Sequence, residues 1–287
     1  MSVPVRARIV ASLATVCLLA VGSARSEPQE GLGGEAPLVR EFGALVTPQL
    51  RPPSDVALGY ASALDGTAID PAEPRFVVQV DRSPNVQALL LWWGKRGAWR
   101  LVGAAPVSTG LPGRFDHFAT PLGVFEHTPR NPDFRAEGTK NSLGIRGYGK
   151  AGMRIYDFGW VLAEKGWGDH RQMEMRLQMH ATDPDRLERR LGTAQSKGCI
   201  RIPASLNDFL DRFGVLDEAY ELELTTGKRA WVLRKDRTPT PWSGRILVVM
   251  DSLAPSRPPW AFVRAAAPVR VDPGRTTAEA TRQDGAC

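Results

Sequence analysis

The chain has 287 residues, of which 43% are hydrophobic and 24% are charged, and its formal net charge is +6. This length suffices for one sizeable domain with extensions or for two small domains, and its three cysteines exclude a disulfide framework. The basic residues are scattered along the sequence and no recognised nucleic-acid motif is present, so we expect no nucleic-acid partner.

The first residues have the order of a secretory signal peptide. Arg6 and Arg8 precede an uncharged run over residues 9–21, and small residues follow it. That run of about 13 residues is too short to span a bilayer. We therefore predict a signal peptide at residues 1–26, a location in the periplasm or cell envelope, and no transmembrane anchor. Loss of both arginines would lower the charge to about +4, which suits anionic envelope polymers.

Composition divides the rest of the chain into three parts. Residues 27–74 are rich in Pro, Gly and Ala and are expected to form an irregular linker or N-terminal extension. A folded catalytic body is expected over residues 75–235. Residues 236–287 contain many turn residues and are expected to be a largely flexible C-terminal extension.

The body is predicted to be mostly β-structure. Short apolar, β-branched or aromatic runs alternate with turn residues, and the first two runs fit a hairpin. The predicted strands are residues 76–80, 88–93, 99–107, 123–127, 153–158, 173–180, 220–224 and 231–234. Such strands favour a mainly β fold with a few short helices, arranged as a β-sandwich or a partly open barrel.

Two helices are predicted among these strands. The first begins at Asp183, which can cap it, and ends at Gly192, which can adopt a left-handed conformation. The second covers residues 205–214, where apolar residues recur at i, i+3, i+4 and i+7. Ser205 and Asp208 have the spacing of a capping box. The apolar stripe of the second helix is expected to pack on a sheet.

Cys199 is the only cysteine inside the expected body. A lone cysteine is more often a small buried hydrophobe than a nucleophile, but Gly198 before it and Arg201 after it are unusual in a packed core. His180, at the end of a predicted strand, can take the thiol proton and later return it to a leaving amine. Glycine lets the backbone approach a substrate carbonyl, so the amide N–H groups of Gly198 and Cys199 are candidates for an oxyanion hole.

Four segments together resemble a known family. In chain order they are Val107–Gly110, Thr120–Phe125, His180 and Ser196–Arg201. This set resembles the catalytic domain of the L,D-transpeptidases, also called the YkuD domain, over roughly residues 75–235. The resemblance implies a β-rich fold in which a cysteine attacks the peptide stem of peptidoglycan.

The resemblance also implies roles for single residues. Cys199 would be the nucleophile and His180 its base, and the main-chain carbonyl of Ala181 would orient the imidazole. Arg201 and Ser196 would stabilise the site or bind substrate. Arg201 would bind a carboxylate of the substrate. Many family members have glycine and histidine where this chain has Ala181 and Lys197, and neither difference removes a catalytic atom.

The implied activity is that of an exported peptidoglycan L,D-transpeptidase without a cofactor. It would form an acyl-enzyme on a stem peptide and transfer the acyl group to an amine such as diaminopimelate, a D-amino acid or a lipoprotein lysine. A cysteine hydrolase acting on the same bonds is an open alternative. A catalytically silent wall-binding module is a third, which the intact pair of His180 and Cys199 disfavours.

The other candidate features are weaker. A zinc site built from His117, His127, His170 and His180 is an alternative, but their spacings match no compact motif, so we predict no metal. The stretch between Phe125 and His180 is long enough to include a lid over the cleft. Its candidate aromatic residues are Tyr148, Tyr156, Trp160 and Trp167. Cys287 is expected to be free or intermolecularly paired, with a blocking disulfide to Cys199 as the alternative.

Overall fold

The computed structural model describes residues 36–69 and 71–261. The predicted signal peptide and Cys287 lie outside the described residues. The described part is mainly β and contains two mixed sheets without a closed barrel. Within it, we find no helix with the length and apolar character needed to cross a membrane.

The described residues contain nine strands. They are β1 (Arg75–Asp81), β2 (Ala88–Gly94), β3 (Arg100–Pro106), β4 (Gly123–Glu126), β5 (Phe134–Arg135), β6 (Arg154–Glu164), β7 (Gln172–Ala181), β8 (Ile200–Ile202) and β9 (Ile246–Met250). Six of the eight predicted strands are confirmed within one to six residues at their ends. They correspond to β1, β2, β3, β4, β6 and β7.

The strands form a five-stranded and a four-stranded sheet. The larger has the order β3-β2-β1-β9-β4, with β1 and β9 parallel, and the smaller has the order β5-β6-β7-β8, with β7 and β8 parallel. Residues just after β3 connect the two sheets, because Ser108 pairs with Arg201 and Gly110 pairs with Ser196. The segment that follows β3 therefore lies beside Ser196 and Arg201, on either side of Cys199.

The prediction of an irregular segment before residue 75 is wrong for much of its length. Two helices lie there, α1 (Ala36–Leu45) and α2 (Ser54–Asp65). Phe42 of α1 packs so closely on β3 that a Cβ at Gly103 would lie 2.2 Å from its ring. Proline does not break the chain here, because Pro53 directly precedes α2, where a missing N–H costs nothing.

The prediction of a flexible segment after residue 235 is wrong for β9. This strand lies between β1 and β4 and is the fourth of five strands in the larger sheet. Its sequence is a continuous apolar run, which is typical of a buried strand with a parallel neighbour. The folded unit therefore extends past the boundary that composition indicated.

Two predicted strands near residue 230 are also wrong. Residues 220–224 lie within the helix α4 (Glu218–Thr225), and residues 231–234 form turns. The alternation of apolar and acidic side chains in this segment resembles a strand pattern. A helix forms instead. The hydroxyl of its buried Tyr220 accepts a hydrogen bond from the backbone N–H of Asp133 at 3.0 Å.

The two predicted helices have different outcomes. The second is present as α3 (Ala204–Phe213), which ends at Gly214 with φ of +57°. Its predicted capping box is wrong, because the Ser205 hydroxyl bonds instead to the backbone of Thr47. The first is not an α-helix. Asp183 does cap a turn by accepting N–H groups of the next residues, but only a 3-10 turn over Glu188–Arg190 follows before Gly192.

Candidate active site

His180 lies on β7, and Cys199 directly precedes β8, the parallel strand beside it. Met179 pairs with Ile200 and His180 pairs with Arg201. His180 and Arg201 are paired, so they share a face, and extending the alternation of side chains by one residue beyond β8 puts Cys199 on the same face. The strand pairing therefore brings the three sequence-predicted side chains to one face of the sheet.

The turn before Cys199 has a conformation that requires glycine. Gly198 has φ of +137°, and a Cβ there would lie 2.8 Å from the thioether of Met175. The carbonyl of Gly198 accepts a hydrogen bond from the Thr120 hydroxyl at 2.7 Å, and that hydroxyl accepts the N–H of Gly110 at 2.8 Å. Two of the sequence segments distant from Cys199 thus hold the turn that presents it.

Ser196 closes the same turn from inside. Its hydroxyl donates to the carbonyl of Cys199 at 2.6 Å and accepts the N–H of Gly198 at 3.1 Å. The Gly198 amide is therefore engaged within the turn, and its role in an oxyanion hole stays a prediction. Ser196 is fully buried, so it supports the turn rather than presenting its hydroxyl to solvent. The oxyanion role of the Cys199 N–H stays a prediction.

His180 is fully buried and has one engaged nitrogen. Its Nδ1 donates to the carbonyl of Ala181 at 2.8 Å, because a carbonyl oxygen can only accept. That hydrogen bond fixes the tautomer in which Nε2 carries a lone pair. Nε2 has no hydrogen-bond partner among the described residues. The imidazole can therefore accept a proton at Nε2.

The electrostatic surroundings keep His180 neutral. Burial, and then the positive charge of Arg201, lower the pKa of His180 to about 3, against the opposing effect of the hydrogen bond to Ala181. Burial disfavours the charged form of an imidazole, and a nearby cation disfavours it further. At neutral pH the ring is thus a base with an available lone pair, and once protonated it is a strong proton donor.

The sulfur of Cys199 lies close to the strand that carries His180. It is fully buried, and Sγ is 3.9 Å from the carbonyl oxygen of Arg176 on β7. The sulfur is disulfide-bonded in this structure. The thiol chemistry considered below therefore applies to the reduced protein.

Tyr148 covers His180 and separates it from a cleft. Its ring meets the His180 ring edge-on with centroids 4.6 Å apart, and its hydroxyl donates to Gln178 Oε1 at 3.4 Å. A cleft of about 510 Å³ lies beside it, and Arg201 forms part of its wall. Other residues on this wall are Phe134, Arg135, Lys140, Asn141 and Leu187. Tyr148 is half-buried, and its side chain both lines this cleft and contacts the base.

The other aromatic residues of the predicted lid lie elsewhere. Tyr156 is buried and stacks under the guanidinium of Arg154, and Trp167 packs edge-on against Phe118. Trp160 is 65% exposed on β6. Sequence reasoning proposed the four together because they share a segment. The contact of Tyr148 with His180 depends on a turn before β6 that has no strong local signal.

The remaining histidines are held at separate positions. His117 Nδ1 donates to the Leu111 carbonyl, and burial lowers its pKa. His127 bonds to Asp133, and His170 lies exposed with Nδ1 bonded to the Lys165 carbonyl. Over the described ranges, no three His, Cys, Asp or Glu side chains are grouped in a way that could hold a metal ion. The alternative of a four-histidine zinc site has no support in this geometry.

Comparison with known proteins gives only distant similarities. No protein-family model matches the chain, and no curated protein matches it. One similar solved structure is a fused Zn-dependent amidase/peptidase/peptidoglycan-binding domain-containing protein from Clostridium acetobutylicum, at 13% identity and a TM-score of 0.30, with 70% of this chain and 64% of that chain covered.

Two further solved structures are similar at the same level. They are Bd1075 from Bdellovibrio bacteriovorus (12% identity, TM-score 0.30, 63% of this chain and 48% of that chain) and the helical cell shape determining protein Pgp2 from Campylobacter jejuni (13% identity, TM-score 0.30, 71% and 57%). The chain thus spans about half to two thirds of the length of these proteins. Similarity this low does not show a family or an activity.

Proposed function

We propose that the chain is an exported peptidoglycan L,D-transpeptidase that acts through a thioester on Cys199. One observation carries this proposal: a buried, neutral imidazole with an available Nε2 shares a sheet face with the cysteine. The ordered sequence segments that resemble the family converge on the same turn, since Thr120 and Gly110 hold it through hydrogen bonds. A silent binding module has no use for this arrangement.

The first half of the reaction would form the acyl-enzyme. His180 Nε2 takes the Cys199 thiol proton, and the thiolate attacks the carbonyl of the penultimate stem residue. The tetrahedral intermediate collapses, the C–N bond to the terminal D-alanine breaks, and the protonated His180 donates to the leaving nitrogen. Burial lowers the pKa of His180, which favours return of the proton from the imidazolium to the leaving nitrogen.

The second half would transfer the acyl group. An acceptor amine attacks the thioester, His180 Nε2 takes a proton from that nitrogen, and the C–S bond breaks. The proton then returns to the sulfur. Arg201 pairs with His180 across the strands and borders the cleft, so a carboxylate on the leaving or entering amino acid would meet it there. Such a carboxylate would also offset the charge that lowers the His180 pKa.

Mass spectrometry tests this proposal directly. Reduced protein incubated with a tetrapeptide stem should gain the mass of a tripeptide acyl group on Cys199, and an added amine should convert it to a new amide. Cys199→Ala should abolish both products while the circular dichroism spectrum stays unchanged. Cys287→Ala serves as the matched cysteine control and should retain activity.

The products also separate the alternatives. Release of free tripeptide that the added amine does not reduce would assign a cysteine hydrolase. Binding of peptidoglycan with no covalent adduct and no product would indicate a binding module and contradict the proposal. Full activity of Cys199→Ala would remove this residue from the mechanism.

A further inference from the structure

The sheet face that carries Cys199 and His180 continues onto the long hairpin formed by β6 and β7. Along β7, Arg176, Gln178 and His180 lie on one face, because alternate residues share a face. Trp160 of β6 pairs with Arg176, so the indole lies on that face too. Leu162, two residues further along β6, extends the same apolar surface.

The apolar surface formed by Trp160 and Leu162 is exposed to solvent. Trp160 is 65% exposed and Leu162 is 64% exposed. The opposite face of the hairpin is packed, since Ala163 and Met175 are buried with Phe118. The hairpin thus has its own hydrophobic support, and Trp160 contributes little to it. Neighbouring exposed apolar side chains on one face of a rigid hairpin, here Trp160 and Leu162, are a candidate binding surface.

Charged groups border the indole. The Nε of Arg176 donates to Asp157 Oδ2 at 2.6 Å, and the Arg176 side chain is 41% exposed beside Trp160. A flat aromatic ring next to fixed donors and acceptors suits a sugar, whose ring presents C–H groups on one side and hydroxyls around its edge. A purely apolar partner would leave this ion pair partly desolvated at a cost in free energy.

The position of His180 sets the direction of the acyl donor. Continuing the pairing of Met179 with Ile200 by one residue places Gln178 beside Cys199. His180 then lies on one side of the cysteine along β7 and Arg176 on the other. Since His180 must reach the leaving nitrogen, the leaving group lies on the His180 side. The acyl part of the donor therefore extends toward Arg176 and Trp160.

The length of a stem peptide fits this path. Trp160 is two residues along the strand and two strands across from Cys199, so the separation is about 12 Å from the rise and spacing of a sheet. Three extended residues span about 10 Å. A stem peptide with its third carbonyl at Cys199 would place the sugar at its amino end close to the indole.

We infer that Trp160 is the platform for the saccharide that carries the donor stem, with the partly exposed Arg176 donating to its hydroxyls and the buried Asp157 holding Arg176 in place. This inference rests on the proposed function for the direction of the donor. It assigns a specificity determinant outside the residues that perform the chemistry. The enzyme would prefer a sugar-linked stem over the same free peptide.

A pair of donors tests the inference. The value of kcat/KM is measured for a disaccharide-tetrapeptide and for the free tetrapeptide with one fixed acceptor. The reduced wild-type protein should prefer the sugar-linked donor by about tenfold, the range expected for one aromatic stacking contact. Trp160→Ala should bring that ratio close to one without changing the rate on free peptide. Trp160→Phe should restore part of the preference.

Trp231→Ala is the matched control, because Trp231 is 72% exposed and lies in turns outside this hairpin. It should leave the ratio at the wild-type value. Equal ratios in the wild-type protein and Trp160→Ala would overturn the inference. The inference would also be overturned if sedimentation showed a dimer for the wild type and a monomer for Trp160→Ala. A second copy of the chain would then occupy the surface.

A binding measurement separates this inference from the proposed function. Titration calorimetry with a peptide-free glycan strand requires no catalysis. Binding that Trp160→Ala abolishes and Trp231→Ala retains would support the platform even in a protein that processes neither donor. Absence of binding, or equal binding by wild type and Trp160→Ala, would refute the platform even in an active transpeptidase.

Discussion

Two histidines of this chain are both fully buried, yet their surroundings shift their pKa values in opposite directions. His180 keeps one nitrogen bonded to a carbonyl, and burial and Arg201 lower its pKa to about 3. His127 bonds through Nδ1 to the Leu216 carbonyl at 2.8 Å and through Nε2 to Asp133 at 2.8 Å. Burial alone would lower the pKa of His127, but the charge and hydrogen bond of Asp133 raise it.

The difference comes from the partners that each ring meets. His127 belongs to a buried ionic network in which Arg154 pairs with Asp133 at 2.6 Å and with Asp217 at 2.7 Å. Both of its nitrogens donate, so the imidazolium is satisfied in place. His180 meets a cation and an aromatic ring instead, and its Nε2 stays available. Burial therefore does not distinguish the two histidines. They differ in that Nε2 of His180 has no hydrogen-bond partner among the described residues, whereas both nitrogens of His127 are bonded.

The largest expected effect comes from removing the available base. His180→Asn should lower the rate of acyl-enzyme formation by about 100-fold to 10,000-fold, the usual contribution of a general base. Its fold should persist, because the side chain makes one hydrogen bond and no ion pair with a carboxylate. Rapid-quench mass spectrometry gives the rate, and circular dichroism checks the fold. An unchanged rate at neutral pH would remove His180 from the mechanism.

The opposite result is expected at the structural histidine. His127→Phe keeps a ring in the aromatic cluster but removes both donors, which leaves Asp133 with a lost partner in a buried site. The free energy of unfolding should fall by about 3–5 kcal/mol, as for other broken buried ion pairs. Urea titration measures this loss. The rate per folded molecule should match the wild type, and a loss of activity with stability retained would contradict the distinction drawn between the two rings.

The sequence indicated which residues surround Cys199 better than it indicated the limits of the fold. The spacing of Cys199 and His180 brings them together because the intervening chain returns in parallel, and β8, which begins directly after Cys199, pairs with β7. By contrast, Tyr148 covers His180 through contacts between segments that lie far apart in the sequence. The engagement of the Gly198 amide by Ser196 likewise depends on side-chain geometry that a motif does not encode.

The errors in the fold share one physical cause. Local patterns were used to assign segments whose structure depends on distant partners. The run Ile246–Met250 is a strand because β1 and β4 lie on either side of it, and α1 is stabilised where Phe42 packs on β3. The network of His127, Asp133 and Arg154 joins residues from three segments, so no spacing in the sequence indicates it.

The smallest expected effect is on the pH dependence of stability, where the two histidines should act with opposite signs. The pKa of His180 is about 3 in the folded protein and about 6.5 in an unfolded chain, so between these values the unfolded state binds the extra proton. Stability from neutral His180 is therefore complete above about pH 6.5 and is lost as the pH falls, at up to about 1.4 kcal/mol per pH unit.

For His127 the folded pKa is raised, so its contribution is complete below the unfolded value and is lost as the pH rises through the folded value. The difference in unfolding free energy between wild type and each variant removes the contributions of titrating groups that do not interact with the substituted ring. Relative to wild type, His180→Asn should gain stability as the pH falls from about 6.5 to 4.5, whereas His127→Phe should gain it as the pH rises above neutrality. Parallel curves for the wild type and His180→Asn would show that folding does not lower the pKa of His180, and would contradict the electrostatic account of this ring.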